Sequence, residues 1–331
     1  MRAVHAITSP RSLLMLLLAL AFLPPGAARA GGSPVGFVSL PAQRTLAVIS
    51  LPNGGPLARI AVPGKPTSVA ASVNGRRVLV ASPDAGVVTE IDGVRPRVVR
   101  IFHGFSRPVA VALDFESPIG IVTPRYAYVL DQTPGLLVVL DLGHGQVAAR
   151  LAVGTRPNRV AIDAATLWIG HAGSGTLTRV SVATPTRPRL LASVDAGAPV
   201  AILVADPELH SVFVAFRGSA AVACFLDRDA EARQTYRRVV GREPLAGLAA
   251  ALPDLLIAAD RRGVLHLLRE QTGRQVAQLH VPSGVEAINV YGNWLVATLP
   301  RALALVGVPD GSMRTSVPLG TRVGGFAWAI L

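Results

Sequence analysis

Seven positions in this sequence share a local context but differ in chemistry. Each lies one to three residues after a glycine and directly before a proline, or a small apolar residue in its place, that opens a short apolar run. They are Lys65, Arg107, Arg156, Ala198, Glu243, Glu286 and Arg322. Gathered around one opening, Arg322, Lys65, Arg107 and Arg156 would form a basic arc. Guanidinium forks match carboxylates and phosphates in both geometry and charge. Glu243 and Glu286 would form an acidic arc opposite. The chemistry implied is recognition of a small anionic or zwitterionic ligand, or of a protein partner, with the field focused by the cleft.

A second set of polar residues falls between later apolar runs of the same repeats: Asp84, Asp131, His171, Arg217, Asp260 and Arg301. His171, in Gly170-His171-Ala172-Gly173, is the one candidate general acid or base, because imidazole titrates near neutrality; its setting reads as an exposed loop. No spacing brings its neighbours together as metal ligands. The chain has no Gly-x-Ser-x-Gly elbow, no His-Glu-x-x-His and no phosphate loop, so neither a metal nor a cofactor is expected.

These residues need a scaffold that repeats. The glycine, proline and apolar-strand pattern begins at Gly64, Gly104, Gly154, Gly197, Gly241, Gly284 and Gly320. The steps are 40, 50, 43, 44, 43 and 36 residues, the period of propeller blades. Each full repeat reads as four short strands; in the first these are residues 68–71, 77–81, 87–91 and 97–101, with Asn74-Gly75 as a hairpin signal. The second repeat is longer because Asp114 to Arg125 inserts a loop. After Gly320 only one strand fits, at 325–330, while three strands at 35–40, 45–51 and 57–62 precede the first anchor. One and three complete a blade, which closes the ring and removes an exposed sheet edge. The expectation is therefore an all-β, seven-bladed β-propeller with four-stranded blades, a monomer, whose last blade is closed by N-terminal strands. In that fold the loops leading into strand one and those joining strands two and three share one face, around the mouth of the central channel.

Two stretches, "GTRPNRVAIDAATLWIGHAGSGTLTRVSV" and "RYAYVLDQTPGLLVVLDLGHGQVAARLAVG", resemble the YVTN-type repeat, in which a G-x-x-P-x-x-V-A strand precedes a "YV-x-N" strand and then an "I-D-x" strand. Tyr126-Ala127-Tyr128-Val129 stands in the second element; Asp92 and Asp141 follow third strands. The repeat's Asn is replaced by Ser82, Asp131, Gly170, Arg217, Asp260 and Leu299. The resemblance implies an exported, lactonase-like seven-bladed propeller. It implies no particular reaction, since such propellers include binding modules, lactonases and lyases. The first reading is a binding or scaffold module using the mouth face. The alternatives are a lactonase- or lyase-like enzyme at that face and an envelope-associated structural protein.

Composition narrows the partners. Residues 1–30 have the layout of a secretory signal peptide: Arg2 and Arg11, an apolar run from Ser12 to Leu23, a Pro24-Pro25-Gly26 break and Ala28-Arg29-Ala30. The run is too short to span a bilayer comfortably, and no later stretch is long enough for a transmembrane segment. A single propeller domain at 31–331, in the periplasm, the cell envelope or outside the cell, is the expectation. Removing Arg2, Arg11 and Arg29 lowers the net charge from +12 to +9. This charge favours anionic partners, an envelope polymer among them, although Lys65 is the only lysine, as coding bias toward arginine would produce. With 5% aromatic residues and no basic run, nucleic acid is not an expected partner. Cys224, the single cysteine, sits in an apolar run and reads as a small buried hydrophobe.

Overall fold

A computed structural model describes residues 33–51, 53–114, 123–226, 232–251, 254–308 and 311–331. The segment read as a signal peptide lies outside the described residues, as does most of the insertion after Asp114.

The chain forms a seven-bladed propeller. The first blade runs from the channel outward as β4 (Ser68–Ala71), β5 (Val78–Ser82), β6 (Val87–Asp92) and β7 (Arg97–Phe102). The second comprises β8 (Pro108–Leu113), β9 (Tyr126–Asp131), β10 (Leu136–Asp141) and β11 (Gln146–Ala152). The third has β12 (Pro157–Asp163), β13 (Thr166–His171) and β14 (Thr176–Ser181), with its outer strand split into β15 (Arg189–Leu190) and β16 (Val194–Asp195). Both pieces pair with β14. The register slips by one residue between them, so the strand expected over 189–194 is interrupted by a bulge.

The fourth blade is β17 (Val200–Asp206), β18 (Ser211–Phe216), β19 (Ala221–Leu226) and β20 (Arg233–Val239). The fifth is β21 (Leu245–Ala251), β22 (Leu255–Asp260), β23 (Val264–Arg269) and β24 (Gln275–His280). The sixth is β25 (Ala287–Tyr291), β26 (Trp294–Leu299), β27 (Ala302–Gly307) and β28 (Met313–Pro318). The seventh joins β29 (Phe326–Ile330) to β1 (Pro34–Leu40), β2 (Thr45–Ser50) and β3 (Pro56–Ala61). β29 runs antiparallel to β1 from Phe326↔Val38 to Ile330↔Pro34. Ser33 and Leu331 extend the ladder through Ser33 N to Leu331 O (2.6 Å) and Leu331 N to Ser33 O (3.0 Å).

Each blade interface has its own apolar core. Among the described residues there are seven such clusters, each shared by two adjacent blades. The middle strands are mostly apolar on both faces because both faces are covered, and β18 is buried along its whole length. Their side chains are mostly Val, Ala and Leu. Cys224 is 1% exposed in the core between the fourth and fifth blades, and burial raises its thiol above the ordinary value.

The repeated glycine has two physical causes. Six of the seven anchors adopt positive φ, Gly154 at 102°, a backbone region that costs glycine little. At the seventh, Gly241, an added Cβ would come within 2.8 Å of His266 Nε2. Among the described residues no helix is long and apolar enough to cross a membrane.

Candidate functional site

The channel opens at the face where the inner strands begin, into a cavity of about 560 Å³. Its ionised lining residues are Arg159, Arg261, Glu286 and Arg322, with Thr67 and Thr298 as further polar groups. Arg159 projects from β12, an inner strand. Arg261 comes from the β22–β23 hairpin of the fifth blade. Glu286 and Arg322 lie just ahead of β25 and β29.

The position of Arg159 follows from strand register. In four blades the first two strands are offset by a bulge near the mouth: Pro108/Ala110, Pro157/Arg159, Val200/Ile202 and Leu245/Gly247. In the third blade Asn158 is the extra residue. It is buried, and its side-chain amide donates to Val200 O of the next blade at 3.3 Å. Arg159 then pairs with Gly170. The same place in the other blades holds Ser68, Ala110, Ile202, Gly247 and Ala287, and Gly325 in the seventh, whose carbonyl accepts from Ser39 N. Arg159 is the only charged residue of the seven.

Its guanidinium is open to channel water but enclosed by protein. Desolvation, then the charge of Arg217 on the neighbouring blade, push its pKa below the ordinary value. Its Nη1 donates to Asn158 O at 2.8 Å. Among the described residues no carboxylate lies within ion-pair distance of it. Arg322 is different: Nη2 meets Glu286 Oε1 at 3.0 Å, so these two largely neutralise each other.

The other residues expected at the mouth sit outside the cavity. Lys65, Arg107 and Arg156 are exposed on the loops leading into the first three blades. What these loops contribute is backbone. Asp84 Oδ1 accepts from Lys65 N at 2.6 Å; Asp131 accepts from Ser106 N (2.9 Å) and Arg107 N (2.6 Å). Arg156 has φ 51°, and its carbonyl accepts from Ala172 N at 3.0 Å. Glu243 pairs with Arg262 Nη2 at 2.6 Å. Of the residues singled out from sequence, the structure brings Glu286 and Arg322 together at the cavity.

His171 is 3% exposed rather than on an open loop. Its Nδ1 faces Thr155 O at 2.8 Å and its Nε2 faces Thr178 Oγ1 at 2.9 Å. A ring nitrogen facing a carbonyl carries hydrogen, so Nδ1 donates to Thr155 O, while the Thr178 hydroxyl also donates to Val153 O at 3.3 Å. Both nitrogens are thus occupied in tying the lead-in loop to the blade, as Asp131 does one blade earlier. Among the described residues no three His, Cys, Asp or Glu side chains converge as a metal-binding group.

No family model and no curated protein matches the chain. Several solved structures share its fold. A functionally unknown protein from Desulfotomaculum acetoxidans superposes with a TM-score of 0.77 at 14% identity, covering 89% of this chain and 98% of that one. A putative 6-phosphogluconolactonase from Bacteroides fragilis gives 0.72 at 11%, covering 91% and 99%. AztD from Citrobacter koseri gives 0.67 at 11%, covering 90% and 98%. At these identities the likeness is one of architecture, and chemistry has to be read from this chain's own side chains.

Arg159 had a readable signal. Aligned on their anchors, the inner strands otherwise hold Ser, Ala, Ile or Gly at this register position, and one Arg interrupts the series. Counting back from the proline selected loop positions instead, because the bulge hides which strand residue turns inward.

Proposed function

We propose that the chain is an exported β-propeller binding module that takes a small organic anion, a carboxylate or phosphate, at the channel mouth. One observation carries this reading: Arg159, the lone charge among seven register-equivalent positions, stands in the cavity without a carboxylate partner. Arg261 and, electrostatically, Arg217 reinforce its field. The single carboxylate among the described residues of the lining is held by Arg322, so the cavity offers anion recognition without a paired acid and base. The resemblance of the repeats to the YVTN type fits an exported propeller, as does the leader-like pattern of residues 1–30. N-terminal sequencing of the exported chain should then begin at Gly31.

The binding test is a calorimetric titration with citrate, gluconate and 6-phosphogluconate, with glucose as the neutral control. Hydrogen bonds to charged groups are worth about 1.5–3 kcal/mol. Arg159→Met should therefore weaken the best anion by roughly 10-fold or more. Arg156→Glu, outside the cavity, should leave direct contacts intact and change affinity only slightly. Equal binding by wild type and Arg159→Met, or no binding of any of the three anions, would overturn the proposal.

A further inference from the structure

We propose a second ligand site at the opposite end of the ring, in the cleft between the sixth and seventh blades, for a small organic anion built on a single flat ring, such as an aromatic carboxylate. β25 begins at the mouth with Ala287 and ends at this cleft with Tyr291, so the two sites are separated by the length of that strand, on the order of 13 Å.

The cleft has a volume of about 220 Å³. Leu51, Val296 and Leu305, each no more than 2% exposed, form its floor. The half-buried rings of Tyr291 and Trp294 form its walls. Trp328 braces Tyr291 edge-on, with ring centroids 4.7 Å apart and planes at 61°. In a chain with three tryptophans and four tyrosines, two tryptophans and a tyrosine meet at this one place.

Among the described residues, Arg314 is the only ionised one in the lining. Its guanidinium lies 5.4 Å from the centroid of the Trp294 ring. It is exposed, and among the described residues no carboxylate is within ion-pair distance. The arrangement therefore presents an apolar slot, aromatic walls and a cation at the rim. The volume, below the ~300 Å³ at which pockets for drug-sized ligands begin, restricts the occupant to about one ring with a short acidic arm. Aromatic walls select a flat body, and the guanidinium selects the carboxylate.

Tryptophan fluorescence reads this site directly. Trp168 is fully buried in the core shared by the third and fourth blades, so a ligand-dependent change reports on Trp294 and Trp328. The purified chain would be titrated with phenylacetate, with benzyl alcohol as the same ring without charge and butyrate as the charge without the ring. Phenylacetate should give a saturable change at least tenfold tighter than either control. Arg314→Met should weaken phenylacetate at least fivefold and leave benzyl alcohol unchanged. Since Arg314 is at the surface, that variant should keep the wild-type circular dichroism, which is measured alongside. Arg159→Met should leave this titration unchanged, which separates it from binding at the mouth. Absence of a saturable change with phenylacetate, equal affinity for benzyl alcohol, or no effect of Arg314→Met would each overturn the proposal.

Discussion

Replacing Glu270 by glutamine should stabilise the propeller, and do so increasingly as pH rises from about 4.5 to 9. Glu270 follows β23 and is 0% exposed. Among the described residues, neither carboxylate oxygen meets a donor in hydrogen-bonding geometry. The group that engages it is another carboxylate, Asp206, on the adjoining blade, with Asp254 and Glu208 adding negative charge. Cys224 and Tyr236 lie near enough to be coupled to it. Desolvation first, then Asp206, raise its pKa from 4.5 to about 9.

The folded state thus keeps a proton that the unfolded chain gives up near pH 4.5. Stability from this group is complete below that pH and is lost as pH climbs toward 9, where the folded form also ionises. At pH 7 the cost of retaining the proton is about 3 kcal/mol, at roughly 1.4 kcal/mol per pH unit. Glutamine keeps the shape, needs no proton from solution and supplies an N–H that can face Asp206. For a chain of this size a gain of that order corresponds to a rise in melting temperature of roughly 5–10 °C at pH 7. The assay is thermal or urea unfolding of wild type and Glu270→Gln at pH 5, 7 and 9. The difference between them should be small at pH 5 and largest at pH 9. A difference that does not change with pH, or one that shrinks as pH rises, would refute the reasoning.

Two further outcomes follow from the ties that hold the ring. Asp131→Ala removes the acceptors of Ser106 N and Arg107 N and should cost about 2–4 kcal/mol in urea unfolding, since each bond is made to a charged group. Deleting residues 326–331 removes β29, the inner strand of the closing blade, unpairs the edge of β1 and opens its buried side chains to solvent, Val35 and Phe37 on one face and Val38 on the other. The shortened chain should lose its single cooperative unfolding transition and bind a hydrophobic dye such as ANS.

The propeller was legible because its causes are local and repeated. A glycine in a left-handed turn, a proline opening a strand and apolar runs of strand length need no tertiary information, and the leftover strands at the two ends implied the closing blade that β29 and β1 form. The placement of side chains was less legible. His171 looked like a loop residue, yet the hairpin folds it under the lead-in loop, where Thr155 O and Thr178 occupy both nitrogens. Arg107 and Arg156 had the right type and spacing, but their loops use backbone groups to reach the blade and leave the side chains outside the cavity. Arg159 reaches the mouth because Asn158 bulges out of register, and a one-residue shift in a strand exchanges its two faces. Sequence alone therefore determined the period, the number of blades and the closure of the ring, all consequences of short-range backbone preferences. Which charges share the channel was decided by register and by the approach of neighbouring blades, both long-range properties that only the closed ring specifies.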